Sequence, residues 1–276
     1  NFKLQTELNK VIYGDNPRRF IISPEMLDKV SVPTIERVYK SLFSNAAGSV
    51  VRIVGNVNPE EIKPLVEKYI GSIPTGKKAP KWVNTKEDLV KGQIHYHFDT
   101  EMTTPKSTVV LVASANMKNT LENTVTASAV NYILDLIYTE TIREEEGGTY
   151  GVSSYGTISE LPKNQYVLQI AFDTDPEKAH KLIELAHAGL NSLAENGPSE
   201  DFLAKAKENF LKNIPENQIS NNYWKGQLGD YYRYGKDFDT GYERAVKALT
   251  ADQIQEFVKK VLSQENFIEF IMRPKK

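Results

Sequence analysis

The sequence predicts an α+β fold built from two homologous units in tandem, the first of them truncated. Segments of alternating or continuous apolar strand pattern are interleaved with segments of helical spacing. One pattern occurs twice: residues 27–44 align without gaps with residues 246–263, an offset of 219. Ile35, Lys40 and Ser44 meet Ile254, Lys259 and Ser263 as identities, and Val30/Leu249, Ser31/Thr250, Val38/Phe257, Leu42/Val261 and Phe43/Leu262 are conservative pairs. Upstream, Tyr13-Gly14 faces Tyr234-Gly235. Amphipathic helices resemble one another by default, but a shared cap, apolar face and following strand seldom coincide by chance.

The first unit reads as helix, strand, helix. Ser31 caps a helix through Phe43 with Ile35, Val38 and Leu42 on one face. Residues 49–55 are β-branched and short, which predicts a strand buried on both faces. Asn58-Pro59-Glu60-Glu61 starts a helix carrying Ile62, Leu65, Val66 and Tyr69, closed at Gly71. Residues 74–92 read as a linker.

The second unit begins with a strand alternating Ile94, Tyr96 and Phe98 with polar residues, followed by a strand over 108–113. A long helix from about Asn119 to Glu146 is stopped by Gly147-Gly148. Residues 150–158 and 166–172 form a strand pair, and Asp175-Pro176 starts a helix ended by Asn196-Gly197-Pro198. Ser199 caps the next helix, and a helix at 250–262 and a strand at 267–272 follow. Long sheet-and-helix pattern precedes the second copy of the repeat and not the first. Residues 1–73 therefore read as the back portion of a unit whose front is missing, and 93–276 as a complete one. A chain without an initiator Met and without a signal-peptide pattern fits an excised or processed piece of a larger protein. The plainer reading of 1–73 is a small accessory subdomain.

The 34 Lys+Arg against 36 Asp+Glu give a net charge of -2, which speaks against nucleic acid or an anionic membrane as partner. No apolar run approaches the length of a membrane span. There is no cysteine, so disulfides, thiolate metal ligands and thiol catalysis are excluded.

Metal ligation falls to four histidines. His95, His97 and Asp99 share one strand face that is able to ligate a metal, but the opposite face is the apolar one, so the plainer reading is a solvated face. His180, Glu184 and His187 share a helix face with the histidines two turns apart, too far for chelation from one helix, and read as solvated. No Gly-x-Ser-x-Gly elbow occurs. Around Gly147-Gly148 the chain turns from helix to strand, bringing Arg143 and Tyr150 toward one another. A guanidinium and a phenol beside a cleft make a donor pair for peptide carbonyls or an oxyanion. From the pattern alone the plainer reading prevails, with Arg143 on the helix C-terminal carbonyls and Tyr150 packed in a sheet.

The stretch Arg143-Glu-Glu-Glu-Gly-Gly-Thr-Tyr150-Gly-Val resembles the arginine–tyrosine signature of the pitrilysin/insulinase zinc peptidases, with the tyrosine seven positions after the arginine. Residues 51–61 and 67–74 resemble that family too, and the resemblance covers nearly the whole chain in the expected order. It implies tandem insulinase-type domains, each a mixed or antiparallel sheet packed by helices, arranged in two halves that close like a clamshell around a chamber. The zinc of such enzymes is held by an inverted motif, His-x-x-Glu-His, which this sequence lacks. The resemblance thus implies no cofactor in this segment and zinc in an N-terminal half, carried by the same protein or a partner subunit. Arg143 and Tyr150 become the contacts to substrate backbone and oxyanion, with unfolded peptides as substrates. Strand addition to a sheet edge is a further implied way of holding them. Tyr223, Trp224, Tyr231, Tyr232 and Tyr234 then become candidates to line the chamber, although core packing is their plainer reading. The chain alone is expected to be inactive, and similarity to large bacterial members points to the periplasm. Two other readings stay open: a non-catalytic scaffold subunit of the same fold, and an unrelated α+β binding domain using the His95/His97 face.

Overall fold

The computed structural model of the chain describes residues 2–76, 78–145, 149 and 151–275. Helices α1 (Phe2–Tyr13), α2 (Pro24–Leu27), α3 (Val32–Phe43) and α4 (Pro59–Tyr69) come first. Strands β1 (Gln93–Thr100) and β2 (Ser107–Asn116) lead to helix α5 (Leu121–Tyr138), which runs straight into a π-helix (Thr139–Glu145). Strands β3 (Val152–Ser159) and β4 (Gln165–Thr174) follow, then helices α6 (Ala179–Asn196), α7 (Glu200–Gln218), α8 (Asn221–Tyr234), α9 (Tyr242–Ala248) and α10 (Ala251–Leu262), and strand β5 (Phe267–Pro274). This is the expected α+β arrangement, with a mostly antiparallel sheet packed by helices.

One compact unit comprises the segments up to Phe20, Lys86–Ile214 and Phe238 onward. Its five strands lie in the order β1-β5-β2-β4-β3, with β1 and β5 parallel and all other neighbours antiparallel. Apolar side chains on both faces of β2 explain its place at the centre: Val109, Leu111 and Ala113 enter the core shared with α5, α6 and α10, while Val110 and Val112 enter a second core. That second core holds Ile94, Tyr96 and Phe98, as their alternation predicts, together with Ile268, Phe270 and Leu8 of α1. The Tyr96 hydroxyl donates to Glu7 at 2.6 Å, tying α1 to the β1 edge.

The other unit comprises Ile21–Thr85 and Pro215–Asp237. Its helix α3 repeats α10 in detail. Ser31 and Thr250 each accept a bond from the amide three residues on, and Ser44 and Ser263 close the helices by donating to Lys40 and Lys259. Their surroundings differ. Ile254, Phe257, Val258 and Val261 are buried on α10, whereas Ile35, Val38, Leu42 and Phe43 on α3 are exposed. Residues 49–55, expected to be a strand buried on both faces, form no strand, and Val50, Val51 and Ile53 are about half exposed. A strand exists only where a neighbour takes its ladder hydrogen bonds. In the other unit β5 has β1 and β2 for this, and here the described residues supply no counterpart.

Helix α1 groups with the sheet because Leu8 is buried there, and residues 215–237 group with the first helices. Arg52 Nη1 donates to the Lys225 carbonyl of α8 at 2.6 Å, and Gly229 leaves the room for its guanidinium. Residues 74–92 are bonded near both ends: Ala46 N–H donates to Pro74 O at 2.9 Å, and Val90 N–H to Ile12 O at 2.8 Å.

Helix α10 also carries a reciprocal capping box. Gln253 N–H donates to Thr250 Oγ1 at 3.2 Å, and Thr250 N–H to Gln253 Oε1 at 2.9 Å. Replacing Thr250 by Ala is expected to cost about 1 kcal/mol in urea unfolding. An unchanged midpoint would show that tertiary packing alone holds this helix start.

Candidate functional site

Helix α5 starts at Thr120, whose hydroxyl accepts from Asn123 N–H at 3.2 Å. Its face of Val125, Ala129, Val130, Ile133 and Leu134 is sealed in the main core. Its last residue, Tyr138, is fully buried and donates its hydroxyl to the Ala186 carbonyl of α6 at 2.9 Å. Burial, with the Asp135 charge adding, raises this phenol well above its ordinary pKa, so it is a neutral donor. The chain then widens to i→i+5 bonding over Thr139–Glu145, an irregularity that recurs at functional sites. Ile142 points into the core with no exposure, and Thr141 Oγ1 donates back to Ile137 O at 2.8 Å.

Arg143, the next residue, is exposed. Among the described residues its guanidinium makes no hydrogen bond or ion pair, so the reading in which it serves helix carbonyls has no support there. Gly147-Gly148 and Tyr150 lie outside the described residues.

Strand β3 resumes at Val152 on the edge of the sheet and, among the described residues, pairs with β4 alone. Helix α5 grips it through two polar side chains. Asp135 Oδ1 accepts from Ser154 N–H at 2.8 Å and from Ser154 Oγ at 2.7 Å, and Asn131 Nδ2 donates to the Gly156 carbonyl at 2.8 Å. Gly156 is required at that point because a Cβ would run into the Tyr166 hydroxyl and the Asn131 side chain. These bonds occupy the Ser154 N–H and the Gly156 carbonyl of an edge strand, two groups that an added strand would otherwise use.

The histidines are arranged in a way their sequence positions do not announce. Because β5 inserts beside β1 in parallel, His95 stands opposite Glu269. Helix α6 brings His187 to the other side of the same carboxylate, so that His95 Nδ1 and His187 Nε2 each lie 3.6 Å from a Glu269 oxygen. Glu269 is largely buried, with 14% side-chain exposure, beside a cavity of about 280 Å³ lined by His95, His187, Asn191 and Phe267. His187, expected on a solvated face, is 36% exposed, and no sequence pattern points to Glu269, since neither a strand pattern nor a helix pattern indicates which strand inserts beside β1. Among the described residues, no group of three His, Asp or Glu side chains is arranged to hold a metal ion. Of the α8 aromatics, Tyr231 and Tyr232 are exposed at 54% and 59%, which departs from the core packing expected of them, while Tyr223, Trp224 and Tyr234 are half-buried.

Comparison with known proteins bears on the family and the fold. The profile of the family described as the peptidase M16 inactive domain matches residues 29–210, more than half of the chain. The chain belongs to the peptidase M16 family. Among curated M16 relatives, the probable zinc protease PqqL of Escherichia coli K12 is 26% identical over 270 residues, covering 95% of this chain and 28% of that protein. The crystal structure of the periplasmic protease PqqL from Escherichia coli superposes with a TM-score of 0.82 at 21% identity, over 99% of this chain and 30% of that one. The crystal structure of the peptidase M16 inactive domain from Pseudomonas fluorescens gives 0.75 at 22% identity, over the whole of this chain and 66% of that one. This M16 chain therefore spans less than a third of the length of that curated relative. No described helix is long and apolar enough to cross a membrane.

Proposed function

We propose that this chain is the substrate-binding, non-zinc part of an M16 metalloendopeptidase. Zinc and the general base are carried by an N-terminal half, on the same protein or a partner subunit, and the two halves close around a chamber that admits unfolded peptides. The observation that carries the reading is Arg143, held exposed by a π-turn at the end of a buried helix and without a partner among the described residues. A guanidinium fork of that kind is a donor for carbonyl oxygens, and with the Tyr150 phenol it steadies the charge that develops on the scissile carbonyl. The zinc of the other half supplies the activated water. Because the Ser154 N–H and the Gly156 carbonyl are already bonded to α5, this part of β3 is disfavoured as an edge for strand addition. Residues 1–73 act as the back portion of an insulinase-type domain completed by a segment preceding them. The periplasm is the compartment this reading favours, since the Escherichia coli relative is a periplasmic protease.

Turnover of the zinc-bearing enzyme that carries this chain tests the proposal. Tyr150→Phe removes one donor and is expected to lower kcat about 10²-fold, the usual loss for one oxyanion donor, with the fold intact. An unchanged kcat takes Tyr150 out of the mechanism. The chain by itself is expected to hydrolyse no peptide with zinc added, and zinc-dependent cleavage by the purified chain would contradict the division of labour proposed above.

A further inference from the structure

We infer that Tyr138 is a positioning residue for Arg143, acting through its hydrogen bond to α6. The inference rests on the functional reading of Arg143 given above. Tyr138 is the last α-helical residue before the π-turn, and in i→i+5 winding Arg143 is the residue one turn on. Whatever fixes Tyr138 fixes the register from which Arg143 leaves the helix.

Two contacts do this. The Tyr138 hydroxyl donates to Ala186 O at 2.9 Å, and the ring lies against Gly189, where a Cβ would approach Cε1 to 2.7 Å. A glycine in the middle of α6 weakens that helix relative to alanine, and here its position admits the tyrosine ring. The hydroxyl is not needed to satisfy α6. The Ala186 carbonyl already receives the Leu190 amide in the helix ladder, so a phenylalanine at 138 would leave no backbone group unpaired. Packing asks for the ring alone, and the oxygen adds a directional restraint between the end of α5 and α6. Downstream, Ile142 is buried in the core and Thr141 bonds back to Ile137, so Tyr138 is one of three points that hold the π-turn carrying Arg143, and the one that ties it to α6.

The test is a double-mutant cycle in the zinc-bearing enzyme, joined to hydrogen exchange. Tyr138→Phe is expected to lower kcat/KM about 10-fold to 10²-fold, the loss that misplacement by up to ~1 Å brings. In an Arg143→Ala background the same substitution is expected to change kcat/KM little, because a residue that acts through Arg143 has nothing left to position. Equal losses in both backgrounds would mark Tyr138 as structural only and overturn the inference. In the exchange experiment, Tyr138→Phe is expected to accelerate amides of residues 139–145 while those of 125–134 keep their protection. Unchanged exchange overturns the inference whatever the kinetics. Accelerated exchange with full activity for Arg143→Ala would instead keep the anchor and remove the functional reading of Arg143.

Discussion

Arg143→Lys is expected to lower kcat of the zinc-bearing enzyme about 10²-fold, although the positive charge is kept. An ammonium is a point charge on a flexible stem, whereas the guanidinium presents parallel N–H donors in a fixed plane. Arg143 follows the buried Ile142 within the π-helix, so its reach is set by the backbone and a shorter, rounder head group cannot recover the geometry. Because the side chain is exposed, stability is expected to change by no more than about 0.5 kcal/mol. Loss of activity with an unaltered melting curve is thus the expected pair of results. Full activity would return Arg143 to an ordinary helix-end residue.

Ile254→Ala and Ile35→Ala are expected to behave oppositely although the two isoleucines stand at matching positions of the repeat. Ile254 is fully buried on α10, so its truncation removes apolar contacts and leaves a cavity, at a cost of about 2–5 kcal/mol in urea unfolding. Ile35 is 55% exposed on α3, and its truncation in this chain is expected to cost at most about 0.5 kcal/mol. In a protein that carries the proposed preceding segment, Ile35→Ala is expected to rise toward the Ile254 value, since sheet and helix would then cover α3 as they cover α10. Equal small costs in both settings would contradict the completion of this unit by that segment.

The two copies also show how much of the molecule its sequence discloses. Caps and amphipathic spacing are local, so α3, α4, α5, α6 and α10 were readable, as were β1, β2, β3, β4 and β5 from their apolar patterns. Residues 49–55 look like a strand for the same local reasons. Strand formation depends on a partner elsewhere, and among the described residues none pairs with them. Helices α1 and α8 went unread because their faces are mixed: α1 buries only Leu8, and α8 buries no residue. For the candidate site, the spacing of Arg143 was legible as a motif. The π-winding that carries it was not, because no local pattern marks the point where α5 ends and Tyr138 meets α6. The Asp135–Ser154 and Asn131–Gly156 bonds, and the two histidines around Glu269, likewise join residues whose proximity only the sheet order creates.

The decisive measurement is a structure of the zinc-bearing enzyme with a peptide bound and its general base disabled. The account predicts the Arg143 guanidinium and the Tyr150 hydroxyl within hydrogen-bonding distance of peptide backbone carbonyls, with the zinc held entirely by the other half. A peptide bound away from both side chains, or a zinc ion ligated by residues of this chain, would contradict it.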